Sequence, residues 1–250
     1  MAYRLPKKLN KEPLVDAVFE VRFSASAPAS SILPGIFFNK LDGDKVINQL
    51  PASEIPKQIR DNDPQLHFVP VVQISWNNFL LLMGDRSVTI GCKMPYTGWF
   101  EFRKAILKII EILGEVGTIQ CINRYSLKYV DLISSSDIEE QVAVVKLDIC
   151  LGDHHLKKEK FSFRTELLQE EYVNIIQIVS SAKFTSSDGK IKKEGLVLDI
   201  DTVCIVKDEK FTDFTVDLQT KLDKIHDVNK VTFFNCITPD TLDMLGPVYE

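Results

Sequence analysis

The sequence lacks the motifs that identify the commonest nucleotide-binding and hydrolytic sites. It has no GxGxxG or GxxxxGK[ST] glycine loop to hold a phosphate, no HExxH pair for zinc and no GxSxG turn for a serine nucleophile. No two cysteines lie within the short spacing of a zinc-binding pair. These absences exclude the most recognisable enzyme classes and predict a protein without a bound cofactor.

Clustered positive charge and long apolar runs are also scarce. The chain of 250 residues carries 30 Lys and Arg against 35 Asp and Glu, a formal net charge of −5. This balance disfavours non-specific attraction to nucleic acid or anionic membranes, because both depend on an excess of basic residues. No window approaches the roughly 18 uncharged apolar residues of a transmembrane helix, and no apolar stretch follows the basic N-terminus. Membrane insertion and export are therefore not expected.

Cysteines are few, odd in number, widely separated and mostly embedded in apolar runs. We interpret them as reduced, small hydrophobic residues rather than as disulfide partners. Reduced thiols are typical of the cytoplasm, where we expect the protein to reside. The five residues are Cys92, Cys121, Cys150, Cys204 and Cys236.

The strongest positive signal is an amphipathic helix that begins at the end of the motif Pro95-Tyr96-Thr97-Gly98-Trp99. Apolar residues recur after it at spacings of three and four, the pattern of one buried helix face. Gly98 can take the positive φ of the preceding turn, and Glu101 lies in the first turn, where the helix dipole favours a negative charge. The predicted helix covers residues 99 to 113. Its apolar stripe consists of Trp99, Phe102, Ile106, Ile109, Ile110 and Leu113.

Alternating apolar and polar residues predict strands before this helix. Leu14 to Phe23 has a period of two, and Asn77-Asn78 separates two apolar stretches, as in a β-hairpin whose turn tolerates a left-handed residue. Residues 87 to 93 predict the third strand of an antiparallel meander. A short helix is predicted over residues 36 to 41. The polar, proline-containing stretch 42 to 65 is predicted to be a long surface loop.

The second half of the chain repeats this style. Its apolar stripe at helical spacing predicts an amphipathic helix over residues 211 to 227. Apolar and β-branched runs between turn residues predict several strands before that helix. These strands cover residues 142 to 151, 160 to 168, 173 to 183 and 195 to 206.

Both halves therefore predict the same fold class. We expect an α+β fold of two similar halves, each a mostly antiparallel sheet packed on one long amphipathic helix. The halves are residues 1 to 133 and 134 to 250, because Ser134 to Asp137 is a small, polar and central segment. The alternative is a single continuous domain.

Short motifs spread along nearly the whole chain belong together. They are the stretch Pro13 to Phe23, Leu33-Pro34-Gly35, Pro95-Tyr96-x-Gly98-Trp99, Arg124 to Tyr129 and the end of the chain from His226 to Thr238. This combination resembles a sporadically distributed bacterial family of proteins of similar length. The resemblance implies a stand-alone bacterial or mobile-element protein and no mechanism. Members of the family often carry Arg and Asn where this chain has Lys128 and Asp131.

One candidate site consists of aspartates on a predicted strand. Asp199 and Asp201 are two residues apart, so their carboxylates lie on the same face of a strand. If Asp16 and Glu20 lie on a neighbouring strand, the four groups can hold Mg²⁺ or Mn²⁺ for phosphoester chemistry. The alternative interpretation is that these are solvated polar faces of half-buried strands.

A second candidate site combines aromatic and basic residues. Tyr96, Trp99, Arg124 and Lys128 can line a groove for an anionic ligand or an acidic peptide. The alternative interpretation is that Trp99 and the neighbouring tyrosines are core residues.

Histidines and lysines near the predicted turns are weaker candidates. The pair His154-His155 can bind a metal or transfer a proton, but no third ligand is identifiable, and a solvated turn is the favoured interpretation. Lysines at 157, 158 and 160 and at 190, 192 and 193 can form a basic rim for nucleic acid. Lysines at strand ends also prevent edge-to-edge pairing of sheets, which is the favoured interpretation.

These observations favour a non-catalytic binding protein. We expect a regulatory or accessory component that acts through a protein partner, a second copy of itself or a small ligand. The family resemblance adds the expectation of a mobile-element or defence locus. The alternatives are a metal-dependent phosphoesterase or nuclease that uses Asp199 and Asp201, and a nucleic-acid-binding protein.

Overall fold

A computed structural model of the chain describes residues 5 to 185 and 192 to 249. The chain divides into two compact units, and each unit is assembled from separate stretches of sequence. The terminal unit comprises Met1–Val15, Lys128–Thr202 and His226–Glu250, and the inner unit comprises Asp16–Leu127 and Val203–Ile225. The predicted division between residues 133 and 134 therefore does not coincide with a boundary of either unit.

The described residues form seven α-helices and thirteen strands. The helices are α1 (Ala29–Lys40), α2 (Lys57–Asn62), α3 (Trp99–Val116), α4 (Ile138–Ala143), α5 (Phe211–Val216), α6 (Leu218–Cys236) and α7 (Pro239–Leu245). The strands are β1 (Lys8–Leu9), β2 (Leu14–Ala25), β3 (Lys45–Gln49), β4 (Val72–Trp76), β5 (Phe79–Met83), β6 (Ser87–Cys92), β7 (Ile119–Ser134), β8 (Cys150–Leu151), β9 (His154–His155), β10 (Ser162–Gln169), β11 (Tyr172–Thr185), β12 (Lys192–Lys210) and β13 (Pro247–Val248).

The inner unit contains an antiparallel meander. Strand β6 pairs with β2 on one side and β5 on the other, β5 pairs with β4, and β4 pairs with the edge strand β3. Asn77 has a φ of 47° in the turn between β4 and β5, the left-handed conformation that asparagine tolerates. The hairpin and the meander predicted from the sequence are confirmed.

Helix α3 supplies much of the apolar core of the inner unit. It follows Gly98, whose φ is 89°, and ends before Gly117, whose φ is 69°. Because the apolar stripe recurs at helical spacing, one face of α3 is buried along its length. The predicted helix is confirmed and extends three residues further, to Val116. Its buried residues are Phe102, Ala105, Ile106, Ile109, Ile110, Ile112 and Leu113.

The terminal unit contains a run of paired strands and an apolar core. Strands β10 and β11 form an antiparallel hairpin, β12 follows β11 in the sheet, and β7 follows β12. Val144 and Val145, which follow α4, contribute to this core together with the end of α6 and helix α7. This core includes Ile133, Val144, Val145, Ile176, Ile178, Leu196, Leu198, Ile200, Phe233, Phe234, Ile237, Leu242 and Leu245.

Three predicted elements differ from the structure in type or continuity. The strand predicted over residues 142 to 151 is wrong, because α4 occupies its start and Asp137 caps that helix by accepting a hydrogen bond from Glu140 N. The predicted surface loop 42 to 65 contains β3 and α2. The helix predicted over residues 211 to 227 is interrupted at Asp217, and its second part continues to Cys236.

The short helix predicted over residues 36 to 41 is longer in the structure. Helix α1 begins at Ala29 and runs through Pro34. Ala29, Leu33 and Phe37 are buried at a spacing of four, so packing of this face offsets the hydrogen bond that the proline cannot donate.

The predicted fold class is confirmed at the level of a mixed α and β protein with a large antiparallel sheet. The prediction of two similar halves, each with one long helix, is not confirmed. Strands β2, β7 and β12 and helix α6 each contribute residues to both units, so the chain does not complete one unit before it starts the other. In the described part of the chain, no helix combines the length and apolar character needed to span a membrane.

Replacing Gly195 by Ala is expected to destabilise the terminal unit by about 1 to 3 kcal/mol. A Cβ atom at this position of β12 would overlap the carbonyl oxygen of Ile133 and lie 2.9 Å from Cα of Ser134, so the backbone must move. Gly35→Ala in α1 is the matched control, because a Cβ there has no neighbour within 4 Å. It should stabilise the helix by up to about 1 kcal/mol. Urea unfolding measures the free energy of unfolding of both variants. A change of the same sign in the two variants would contradict this prediction.

Candidate ligand-binding site

Trp99 makes a hydrogen bond and an aromatic contact within the inner unit. Its indole Nε1 donates a hydrogen bond to Oδ1 of Asp223 at 2.8 Å, and its ring lies edge-on to Phe102 with 6.4 Å between centroids. Arg103 donates to both oxygens of the same carboxylate at 2.6 and 2.5 Å. The first turns of α3 are therefore tied to α6 through Asp223, a connection that the sequence did not predict.

Three of the four residues of the predicted aromatic and basic groove belong to the inner unit. Tyr96 packs edge-on against Phe102 in the inner unit, and Arg124 in the same unit donates to Ser126 Oγ at 3.4 Å. Lys128 belongs to the terminal unit. A groove formed by all four residues stays a prediction.

Lys128 pairs with one of the two aspartates that the sequence singled out. Its Nζ lies 2.6 Å from Oδ2 of Asp199, and this contact joins β7 to β12 in the terminal unit. Burial raises the pKa of Asp199, while the ammonium of Lys128 lowers it and the charge of Asp201 raises it. Asp199 is thus paired with a positively charged ammonium group, and its side chain is only 20% exposed.

Asp131 is the most unusual ionisable residue of the terminal unit. It lies three residues beyond Lys128 on β7 and is only 7% exposed. Burial, followed by the charges of Glu12 and Asp199, raises the pKa of its carboxyl group to about 8. Hydrogen bonding does not contribute to this shift, so nothing offsets the cost of ionising the buried group.

Glu12 reaches this position through the backbone that precedes β2. The Leu132 N–H donates to the Pro13 carbonyl at 2.8 Å, which places the segment containing Glu12 beside the end of β7. Burial of its carboxyl group raises the pKa of Glu12 as well. We call Glu12, Asp131, Asp199 and Lys128 the acidic site.

The residues of the acidic site differ in their exposure to solvent. Glu12 is a surface residue whose carboxyl group is partly shielded from solvent, the side chain of Asp199 is 20% exposed, and Asp131 is almost completely buried. Because the pKa of Asp131 is about 8, its carboxyl group is neutral near pH 7. The site therefore offers carboxylate acceptors at its outer end and a carboxyl group at its inner end that becomes a carboxylate when a positive charge approaches.

The residues proposed for a metal do not form such a site among the residues that the structure describes. Within those residues, no group of three or more His, Cys, Asp or Glu side chains is arranged to hold an ion. Glu20 instead pairs with Arg22 at 2.6 Å, and Asp16 is exposed in the inner unit, whereas Asp199 and Asp201 belong to the terminal unit. The metal-dependent alternative remains a prediction.

The histidine pair lies on the exposed hairpin formed by β8 and β9. His154 contacts Glu159 and His155 contacts Asp148, each at 3.0 Å, so each histidine has its own carboxylate partner. The hairpin agrees with the solvated turn favoured by the sequence.

The lysines of the predicted basic rim and the cysteines differ in their surroundings. Lys158 pairs with Glu139 at 2.8 Å, and Lys190 lies outside the described residues. All five cysteines are free, as predicted. Cys150 is exposed, however, which differs from its interpretation as a small hydrophobic residue.

Two open surface cavities lie along α3 in the inner unit. One, of about 640 Å³, extends from α3 to the turn between β4 and β5, where Trp76 and Asn77 line it. The other, of about 590 Å³, lies between α3 and the junction of α5 and α6. The acidic site and the predicted groove residues line neither of these two cavities.

Sequence reasoning missed Asp131 and Glu12 as site residues. A signal for Asp131 was present, because it is a charged residue between Val130 and Leu132 in a strand rich in apolar residues. Glu12 carried no comparable signal, since only the pairing of Pro13 with Leu132 brings it to the end of β7.

Comparison with known proteins adds no assignment to this geometry. No protein-family model matches the chain, and a search of curated proteins finds no significant match. The family resemblance described above therefore depends on its motifs alone and stays a prediction. The acidic site likewise depends on the geometry of this chain.

Proposed function

We propose that the protein is a non-catalytic binding protein that holds a small ligand with a positively charged amino or guanidinium group at the acidic site. In this proposal it acts as a regulatory or accessory component, as the sequence led us to expect. The buried carboxyl group of Asp131, next to Glu12 and Asp199, is the observation that supports it.

Asp131 supports the proposal because its ionisation costs free energy that a bound cation can offset. A carboxyl group that is 7% exposed and gains no stabilisation from hydrogen bonding is costly to ionise. A cationic group bound beside Asp131 supplies the missing interaction and favours the carboxylate. Lys128 does not supply it, because its ammonium contacts Asp199.

Ligand binding is linked to proton release in this proposal. Near pH 7 the carboxyl group of Asp131 is protonated, since its pKa is about 8. A bound cation lowers that pKa, so the proton leaves when the ligand arrives. The charges of Glu12 and Asp199 act on Asp131, and the cation adds to the positive charge that Lys128 places beside Asp199.

Isothermal titration calorimetry with agmatine and 1,4-diaminobutane tests the proposal. Both probes carry two cationic groups, and 1,4-butanediol is the uncharged analogue. We expect saturable binding of the cations at pH 7 and none of the diol. The apparent heat should differ between phosphate and Tris buffers, because a released proton is taken up by the buffer.

The variants identify the site. Asp131→Asn should weaken binding of the cations at least about tenfold and abolish the buffer dependence. Asp153→Asn makes the same chemical change in an exposed turn and should leave both unchanged. Equal binding by wild type and Asp131→Asn would refute the proposal. Saturable binding of Mg²⁺ or Mn²⁺ that is lost in Asp199→Asn would refute it in favour of the metal-dependent alternative.

A further inference from the structure

Strand β10 is an edge of the sheet. It pairs with β11 on one side, and among the described residues no strand pairs with its other side. Its eight residues are largely exposed, and Leu167 and Leu168 are 50% and 78% exposed. An edge with free backbone groups and exposed leucines is a surface on which another strand can pair.

The pairing of β10 with β11 determines which residues of β10 direct their backbone N–H and C=O groups away from β11. Ser180 N donates to the carbonyl of Phe161 at 3.1 Å, and the regular register continues from Ser162 opposite Val179 to Gln169 opposite Tyr172. Backbone groups of an antiparallel strand alternate between its two neighbours. The odd-numbered residues therefore direct theirs to β11, and the outward set is Ser162, Arg164, Glu166 and Leu168.

The charged residues of this outward set in one copy of the chain are complementary to the same residues in a second copy. When two copies of β10 pair in antiparallel fashion about a two-fold axis at Thr165, Arg164 of each copy lies opposite Glu166 of the other. Axes at residues 164 or 166 would place two arginines or two glutamates opposite each other. Opposite charges stabilise a cross-strand pair and like charges destabilise it, so charge selects the axis at Thr165.

The same register also matches the remaining residues. Phe163, which packs against the core of the terminal unit, lies opposite Leu167 of the second copy. Just beyond the strand, the exposed Lys160 lies opposite the exposed Glu170 of the second copy. The other edge strand, β3, carries Lys45 and no acidic residue, so it lacks this self-complementarity.

We propose that a second copy of this chain pairs with the outer edge of β10, about a two-fold axis at Thr165, and extends the sheet across two molecules. Arg164 and Glu166 are available for this contact, because their side chains are 54% and 53% exposed and pair with each other within one copy. One strand pair is a small interface, so the dimer should be concentration-dependent.

Sedimentation velocity of the full chain measures the association of the two copies. A small interface gives a weak dimer, so the protein concentration should cover about 1 to 100 µM. Wild type should convert from monomer to dimer in this range. Arg164→Glu alone places glutamates opposite glutamates, and Glu166→Arg alone places arginines opposite arginines. Each single variant should associate at least about tenfold more weakly than wild type.

Mixing the two single variants separates contacts between copies from the contact within one copy. In a mixed pair, the two acidic side chains that the first variant carries at positions 164 and 166 lie opposite the two basic side chains that the second variant carries there. The mixture should form a heterodimer although each variant alone associates only weakly. The loss of the ion pair within each copy persists in the mixture, so it cannot produce this rescue.

A charge reversal elsewhere provides the control. Lys108 and Glu111 form an exposed ion pair on α3, at 2.8 Å, and Lys108→Glu should leave the association unchanged. A monomeric wild type at about 100 µM, or single variants whose mixture stays monomeric while wild type dimerises, would overturn the proposal.

Discussion

Asp131→Asn is expected to become progressively more stable than wild type as the pH rises from about 5 to 8. Asp131 has an ordinary pKa of 3.8, which applies to the unfolded chain, and a pKa of about 8 in the folded protein. Between these values the folded protein holds a proton that the unfolded chain has released. Raising the pH through this window therefore favours unfolding of wild type, and the variant lacks this contribution.

The size of the effect follows from the linkage between proton binding and folding. One such group changes the free energy of unfolding by about 1.4 kcal/mol per pH unit, or about 4 kcal/mol between pH 5 and 8. Burial also raises the pKa of Glu12 and Asp199, so wild type loses further stability with the same sign. Those contributions remain in the variant and largely cancel in the difference.

Urea unfolding at pH 5, 6.5 and 8 measures this difference. Asp153→Asn is the matched control, because it makes the same chemical change at an exposed position and should follow the pH profile of wild type. Parallel profiles for Asp131→Asn and wild type would mean that Asp131 is ionised in the folded protein. Asp131 could then not release a proton to a cationic ligand.

Phe102→Ala is expected to lower the free energy of unfolding by about 3 to 5 kcal/mol. Phe102 is completely buried, and its ring contacts those of Phe79, Tyr96 and Trp99 at centroid distances of 6.2, 6.1 and 6.4 Å. Removing it leaves a cavity where α3 meets the meander, and the rigid aromatic neighbours cannot fill that space.

Phe100→Ala is the matched control for this prediction. The residue lies on the same helix but is 66% exposed, and its ring meets the guanidinium of Arg103 at 5.9 Å. Its loss should change stability by less than about 1 kcal/mol. Chemical unfolding compares the two variants, and similar losses would be incompatible with burial of only one face of α3.

Elements with strong local patterns were predictable from the sequence. Helix α3 has an apolar stripe at helical spacing, and β2 alternates with a period of two, so each pattern specifies both the structure and the buried face. Asn77-Asn78 marks a turn because asparagine tolerates a positive φ. Weaker patterns gave wrong or incomplete predictions where packing or capping determines the structure. Helix α1 continues through Pro34, and Asp137 caps α4.

The candidate site was predictable only in part. Asp199 and Lys128 were singled out for different sites, and the sequence contains no signal that they pair across β7 and β12. The distance between them in sequence is bridged by strand pairing, which depends on the register of the whole sheet.

By itself, the sequence determined the composition, the α+β class, the amphipathic helix at Trp99 and the antiparallel meander, because these depend on residues that are neighbours along the chain. Only the tertiary structure decided that each of the two units is assembled from separate stretches of sequence and that Glu12 and Asp199 lie near a buried Asp131. The physical reason is that burial and the pKa of a carboxyl group depend on residues brought together from distant strands.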